Sequence, residues 1–222
     1  MRGPRPAALA LLFVVGATAA AAGAAPAADS AAAPWQALEK LRGELAHAGT
    51  LGTEFTQSYV PAGFESGETE SGTVALGLPD CLRWDYRQPY AKSFLVCGAR
   101  AWSWVEGEPR GQRVSIDADR ELGLDLLLLP AAELARRYRV SSSATPDGGV
   151  ELTFEPLDPG SELLVANLFV DAAGERPVAL EWRDREGSVT SFRFRDWSAI
   201  EAEDSFSPPA ALEWAEPVAP RD

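Results

Sequence analysis

The sequence predicts a mainly β protein of the α+β kind, an antiparallel meander accompanied by a few short helices. Three observations predict it. From Leu51 onward apolar and polar residues alternate with a period of two, and turn segments bearing glycine or proline break that alternation at short intervals. Helical spacing is confined to one amphipathic stretch before Leu51 and one leucine-rich stretch in mid-chain. At 222 residues, 46% hydrophobic and 24% charged, the chain suits a single domain with a single core.

The first segment stands apart. After Met-Arg-Gly-Pro-Arg no residue is charged from Pro6 to Ala28, and Leu9, Leu11, Leu12, Phe13, Val14 and Val15 form its apolar centre. This is the pattern of a secretory signal, assigned to residues 1–25, with cleavage expected between Ala20 and Ala28. Its strongly apolar part is shorter than the roughly 20 residues of a membrane span. Left uncleaved, Ala7 to Ala25 would just reach across a bilayer, so a retained anchor is the alternative. There is no Arg-Arg pair and no cysteine near the cleavage zone, which points away from twin-arginine export and from amino-terminal lipidation. The mature domain is expected over residues 29–215, with a loose tail at 216–222.

Trp35, Leu38, Leu41 and Leu45 recur at three- and four-residue spacing with charged residues between them, which predicts a helix over Ala31 to Ala48 that ends near Gly49. Strands are predicted over 51–59, 73–78, 81–87, 93–97, 101–105 and 112–117. Pro61-Ala-Gly63, Pro79-Asp80, Gln88-Pro89, Gly98 and the Gly107 to Gly111 stretch separate them. Leu122 to Leu129 and Ala131 to Tyr138 then read as two short helices with Pro130 as the joint. Strands return at 150–154, 163–170, 178–183 and 189–197, and two of their hairpin loops place Gly174 and Gly187 where the backbone turns left-handed. From Ser207 four prolines predict irregular chain.

Charge and composition exclude several functions. Twenty basic against 33 acidic residues leave a formal charge of −13, and loss of Arg2 and Arg5 with the signal makes it −15. Such a surface repels nucleic acid and anionic lipid alike. One histidine, His47, and two cysteines without CxxC or HExxH spacing leave little material for a metal site. Asp117 with Asp119, or Asp184 with Glu186, could be offered as paired carboxylates. Both pairs lie in charged turns and read better as solvated surface. No enzyme, metal or cofactor is expected.

Folding 81–97 as a hairpin about Pro89 pairs Trp84 with Phe94, Leu82 with Val96 and Cys81 with Cys97. In an oxidising compartment this register predicts a Cys81–Cys97 disulfide, with two free thiols as the alternative. Trp102 and Trp104 share one strand face, as do Phe192 and Phe194. Such stripes are either plain core or the lining of a cavity, and alternation does not choose between them.

Several segments resemble the LolA family of periplasmic lipoprotein carriers. They are Gly72-Thr-Val-Ala-Leu-Gly-Leu-Pro79, Leu82-Arg-Trp-Asp-Tyr86, Gln88-Pro89, Phe94-Leu-Val-Cys-Gly98 and Ala101-Trp102. The likeness continues through the leucine-rich segment, Arg137-Tyr138-Arg139-Val140, Leu152-Thr-Phe154-Glu-Pro156 and Asp204-Ser-Phe206-Ser-Pro208-Pro209. The resemblance implies an incomplete, strongly curved antiparallel β-barrel of about 10–11 strands, lidded by three short α-helices. It also implies a hydrophobic interior for the acyl chains of a lipoprotein. The lining is expected at Phe55, Leu82, Trp84, Phe94, Trp102 and Trp104, and the lid at Leu122, Leu126, Leu127 and Leu129. An ATP-driven, ABC-type inner-membrane complex would load such a carrier, and an outer-membrane acceptor would unload it; the carrier itself is expected to be a monomer.

One departure stands out. The family carries a basic residue before the proline matching Pro79, and that residue bonds to the lid and holds the empty state closed. Here the position is Leu78, so the resemblance leaves two readings: closure by apolar contact alone, or another lipid cargo. A lipoprotein-sensing regulator of the RseB type has a further carboxy-terminal domain not expected here, and a LolB-like receptor needs a lipidated cysteine. Burial of acyl chain is worth about 0.8 kcal/mol per methylene in a bilayer and in a matching protein site alike. A carrier therefore needs modest net affinity and an energised loading step.

Overall fold

Leu38, Leu41 and Leu45 lie on one stripe of helix α1 (Ala27–His47) in the computed structural model, which describes residues 27–115, 125–201 and 205–215. All three are buried, each contributing about 1.5–3 kcal/mol. The helix ends where Gly49 takes a φ of +77°, two residues beyond His47. The signal segment, Leu122 and the Asp117–Asp119 pair lie outside the described residues, as does the tail at 216–222.

Six strands follow as a meander: β1 (Leu51–Val60), β2 (Glu68–Gly77), β3 (Cys81–Gln88), β4 (Lys92–Cys97), β5 (Arg100–Val105) and β6 (Arg110–Ser115). After α2 (Asp125–Leu128) and α3 (Ala131–Arg137) a second meander runs through β7 (Tyr138–Ala144), β8 (Val150–Pro156), β9 (Leu163–Val170), β10 (Pro177–Asp184) and β11 (Val189–Ala199). Antiparallel pairing of β1 with β11 joins the two meanders, and β12 (Glu213–Ala215) completes the sheet. The order is β12-β6-β5-β4-β3-β2-β1-β11-β10-β9-β8-β7, so among the described residues β12 and β7 are the edge strands and the barrel is not closed.

Among the described residues the sheet has twelve strands, against the ten or eleven expected. Two escape the sequence pattern for physical reasons. β7 is an edge strand in which only Tyr138 is buried, so it shows no alternation and reads as the end of α3. β12 spans three residues after a proline-rich stretch and pairs in parallel with β6, so the sheet is mixed rather than wholly antiparallel. The loops with Gly174 and Gly187 do take the predicted left-handed backbone, at φ of +73° and +98°.

One face of the sheet carries Phe55, Trp84, Leu152, Leu168 and Phe192, which form one buried cluster with the leucines of all three helices. We call this the inner face. The chain from Ser205 to Ala215 runs over the outer face instead: Ser205 accepts a hydrogen bond from Arg83, and the rings of Trp214 and Trp104 meet edge to face at 6.0 Å. A Cβ on Gly111 would lie 2.4 Å from the Trp214 ring, so glycine is what lets that ring sit down on β6.

Candidate functional site

The site grows from the β3–β4 hairpin. Its pairs are Cys81 with Cys97, Leu82 with Val96, Trp84 with Phe94 and Tyr86 with Lys92, the register read from the sequence, and Cys81 and Cys97 are disulfide-bonded. Alternation sends Leu82, Trp84 and Tyr86 to the inner face. Phe55 on β1 meets Trp84 edge to face at 4.8 Å and Tyr86 at 5.0 Å, and Phe192 on β11 closes on Trp84 at 4.8 Å.

Beside this cluster lies a cavity of about 350 Å³, lined by Trp84, Phe94, Val96, Ala101 and Val114 on one side and by Trp182 and Phe192 on the other. Val114 is on β6 and Trp182 on β10, which stand far apart in strand order, so their meeting requires strong curvature of the sheet. Two larger grooves, of about 470 and 540 Å³, are lined by charged side chains such as Glu54, Arg83 and Asp196, or Arg87, Glu106 and Glu108. Of these three, the 350 Å³ cavity has the most strongly apolar lining.

Polar groups sit at one end of it. Tyr86 Oη donates to Gln57 Oε1 at 2.6 Å, and burial, then the charge of Glu70, holds the Tyr86 phenol well above its ordinary pKa. Lys92 donates to Glu70 at 2.7 Å and lies 4.6 Å over the Tyr86 ring. Trp84 Nε1 is buried without a hydrogen-bond partner among the described residues.

The residues expected to form a lid lie on the same core. Leu126 and Leu127 of α2 are buried, and Leu128 and Leu129 are partly so. Leu78 packs against this cluster as an apolar residue. Arg42 of α1 donates through one guanidinium nitrogen to the carbonyl of Leu127 at 2.7 Å and through the other to that of Leu128 at 3.2 Å.

Of the residues expected to line a cavity, Phe55, Leu82 and Trp84 are buried on the inner face, and Phe94 beside them is 40% exposed. Trp102 is among the residues that line the cavity, whereas Trp104 lies outside it. β5 pairs Leu95 with Trp102 and Ser93 with Trp104, so both indoles belong to the opposite face from Phe94, although Trp102 still borders the cavity. Trp104 packs there against Trp214 and under the Arg83 guanidinium. Gln57, Tyr86, Trp182 and Arg42 were not anticipated. Gln57 and Tyr86 were legible, each lying two residues from an aromatic on the same strand face; nothing in the pattern singles out Arg42. Asp184 accepts from the Ser188 N–H and so stabilises its own hairpin turn. Among the described residues no group of three or more His, Cys, Asp or Glu is placed to hold a metal ion.

Comparison with known proteins agrees with this architecture. A crystal structure of an uncharacterized conserved protein from Thermus thermophilus superposes with a TM-score of 0.53 at 12% identity, covering 83% of this chain and 99% of that one, a likeness of fold alone. The outer-membrane lipoprotein carrier protein of Xanthomonas axonopodis pv. citri (strain 306) is 30% identical over 152 residues, 66% of this chain and 70% of its own. That of Dechloromonas aromatica (strain RCB) is 26% identical over 189 residues, 80% and 86% of the two chains. The family model described as outer membrane lipoprotein carrier protein LolA matches residues 46–207, and the chain belongs to the LolA family.

Proposed function

We propose that this chain is a periplasmic, non-catalytic carrier that holds lipoprotein acyl chains against the inner face of its sheet and moves them from the inner to the outer membrane. The observation that carries this reading is the apolar cavity with Phe94 at its wall, 40% exposed although Trp84 and Tyr86 flank it. A large aromatic left open on a concave face is completed by an apolar ligand. The lining is Phe55, Leu82, Trp84, Phe94 and Trp102, joined by Trp182 and Phe192, with Trp104 left to the outer face, and the lid is Leu122, Leu126, Leu127 and Leu129.

Capacity implies motion. A methylene occupies about the volume of a water molecule, about 30 Å³, so a cavity of about 350 Å³ holds roughly a dozen. That is less than one ordinary acyl chain. Loading therefore displaces α2 and α3 from the core, and an ATP-driven inner-membrane complex supplies the work that a bilayer-equivalent site cannot. An outer-membrane acceptor receives the cargo. Residues 1–25 direct export and are removed, leaving 29–215 as the working domain, which acts as a monomer.

The test is expression of the whole chain in a bacterial periplasm, followed by mass spectrometry of whatever co-purifies. Acylated lipid or lipoprotein at a near-stoichiometric level is the expected result. A protein that emerges empty and also takes up no fluorescent acyl probe would overturn the assignment.

A further inference from the structure

Resting on the acyl-chain reading above, we infer that the cavity also contains a carbonyl-recognition subsite, formed by Trp84 Nε1 and the Gln57 amide, and that it selects acyl esters rather than bare hydrocarbon or free acid. The inner face is graded along its strands. The register sets Leu82, Val96, Ala101 and Val114 on one rung, all apolar. The next rung is Trp84, Phe94, Ser103 and Gln112, where apolar gives way to polar. Beyond it stand Tyr86 and Lys92, with Lys92 paired to Glu70. A bound chain thus has a direction, its tail towards Leu82 and Val96 and its head towards Lys92.

At the change of polarity stands a donor with nothing to donate to. Trp84 is 2% exposed and its Nε1–H has no hydrogen-bond partner among the described residues. The T-shaped contact with Phe55 offers at most a ring face, a weak acceptor that yields to a carbonyl oxygen. Gln57 accepts from the Tyr86 hydroxyl at Oε1, which leaves its NH₂ group as the donor and a single lone pair of that oxygen as acceptor. Donors in apolar surroundings call for a ligand that brings acceptors and no hydrogens of its own. The ester carbonyls at the head of an acyl chain meet that need, and each carbonyl and N–H then lose water together. A free carboxylate needs a cation instead, and the nearby ammonium of Lys92 is already held by both Glu70 oxygens, at 2.7 and 3.0 Å.

The experiment displaces a fluorescent acyl probe from the purified protein with 1,2-dioctanoylglycerol and with its ether analogue 1,2-di-O-octylglycerol. The ester-to-ether affinity ratio is compared between wild type and variants, so that the two lipids' own solubilities cancel. Trp84→Phe is expected to lower that ratio about fivefold to tenfold, the worth of one buried hydrogen bond. Replacing the Trp84 indole by benzothiophene, which keeps the ring's shape and removes only the N–H, is expected to do the same. An unchanged ratio in the benzothiophene protein, with both lipids still binding, overturns the subsite and leaves the acyl cavity standing. Failure of both lipids to displace the probe from the wild type overturns the cavity reading, and the subsite with it.

Discussion

The Arg42 guanidinium and the Leu127 carbonyl are joined at 2.7 Å, with the Leu128 carbonyl held by the same side chain at 3.2 Å. Helix α2 is four residues long, so its terminal carbonyls have no partners within the helix, and an arginine from α1 satisfies them. Burial lowers the Arg42 pKa, with Glu39 opposing, yet arginine stays charged at any working pH, so this tie does not switch with acidity. The basic residue that the family resemblance places at position 78 is absent, and Leu78 joins the core instead. Helix α2, the proposed lid, is tied by a side chain of α1 and not by a basic residue at the β2–β3 turn.

Arg42→Ala should therefore loosen the lid. Two charge-assisted bonds in a half-buried setting are worth about 1–3 kcal/mol together, so the open population rises roughly fivefold to a hundredfold. Stopped-flow uptake of an acyl probe by the empty protein should accelerate accordingly, with Arg42→Lys falling between. Uptake at the wild-type rate in Arg42→Ala would show that apolar contact alone holds α2 in place.

Charge placed on the inner face should abolish loading, whereas change on the outer face should not. Phe94→Glu is the cleaner test than Trp84→Glu, because Phe94 is 40% exposed and its replacement leaves no hole in the core. Probe binding is expected to fall at least tenfold in Phe94→Glu, the carboxylate being costly to strip of water. Trp104→Ala, which removes the outer contact with Trp214, should lower stability by about 1–2 kcal/mol and leave probe affinity unchanged. If Trp104→Ala binds poorly while Phe94→Glu binds normally, the two faces have been assigned the wrong way round.

That assignment shows what was legible in the sequence. The β3–β4 register, its disulfide and the turns at Gly174 and Gly187 follow from local alternation and turn chemistry, and the structure has them all. Trp104 was expected in the lining yet packs on the outer face, because alternation says which residues share a face but not which face is inward. Bulky aromatics suggest the interior, but Ser205 to Ala215 covers part of the outer face and gives Trp104 a second apolar shelter there. That cover depends on β12 meeting β6 across a sequence gap no local pattern spans. Arg42 was invisible for a similar reason. On an amphipathic helix its charge reads as solvated, and only the tertiary position of α2 makes it a partner.

The Cys81–Cys97 bridge closes a loop with a sequence separation of 16 at the head of the hairpin that carries Trp84 and Phe94. Loop closure of that size is worth about 3 kcal/mol. Reduction and alkylation should lower the stability measured in urea by that amount without changing the sheet's circular dichroism at rest. Intact mass should rise by two hydrogens on reduction, and a chain that alkylates fully before any reductant is added would disprove the bridge.

Tyr86 predicts a loss of stability in alkali. Its phenol is buried, donates to Gln57 and faces the charge of Glu70, so its pKa in the folded protein lies above the unfolded value of about 10. Below about pH 10 the phenol is protonated in both states and its contribution is fully present. As pH rises from there towards the folded pKa, the unfolded chain ionises first, and the contribution is progressively lost. Urea midpoints should thus fall progressively as pH rises above about 10. In Tyr86→Phe part of that fall should vanish, while stability near pH 7 drops by about 1 kcal/mol because Gln57 loses its donor. Tyr59→Phe serves as the control, since Tyr59 is 40% exposed and stands apart from the cavity. Equal alkaline slopes in wild type and Tyr86→Phe would mean that the phenol reaches solvent at the cavity's polar end before the fold gives way.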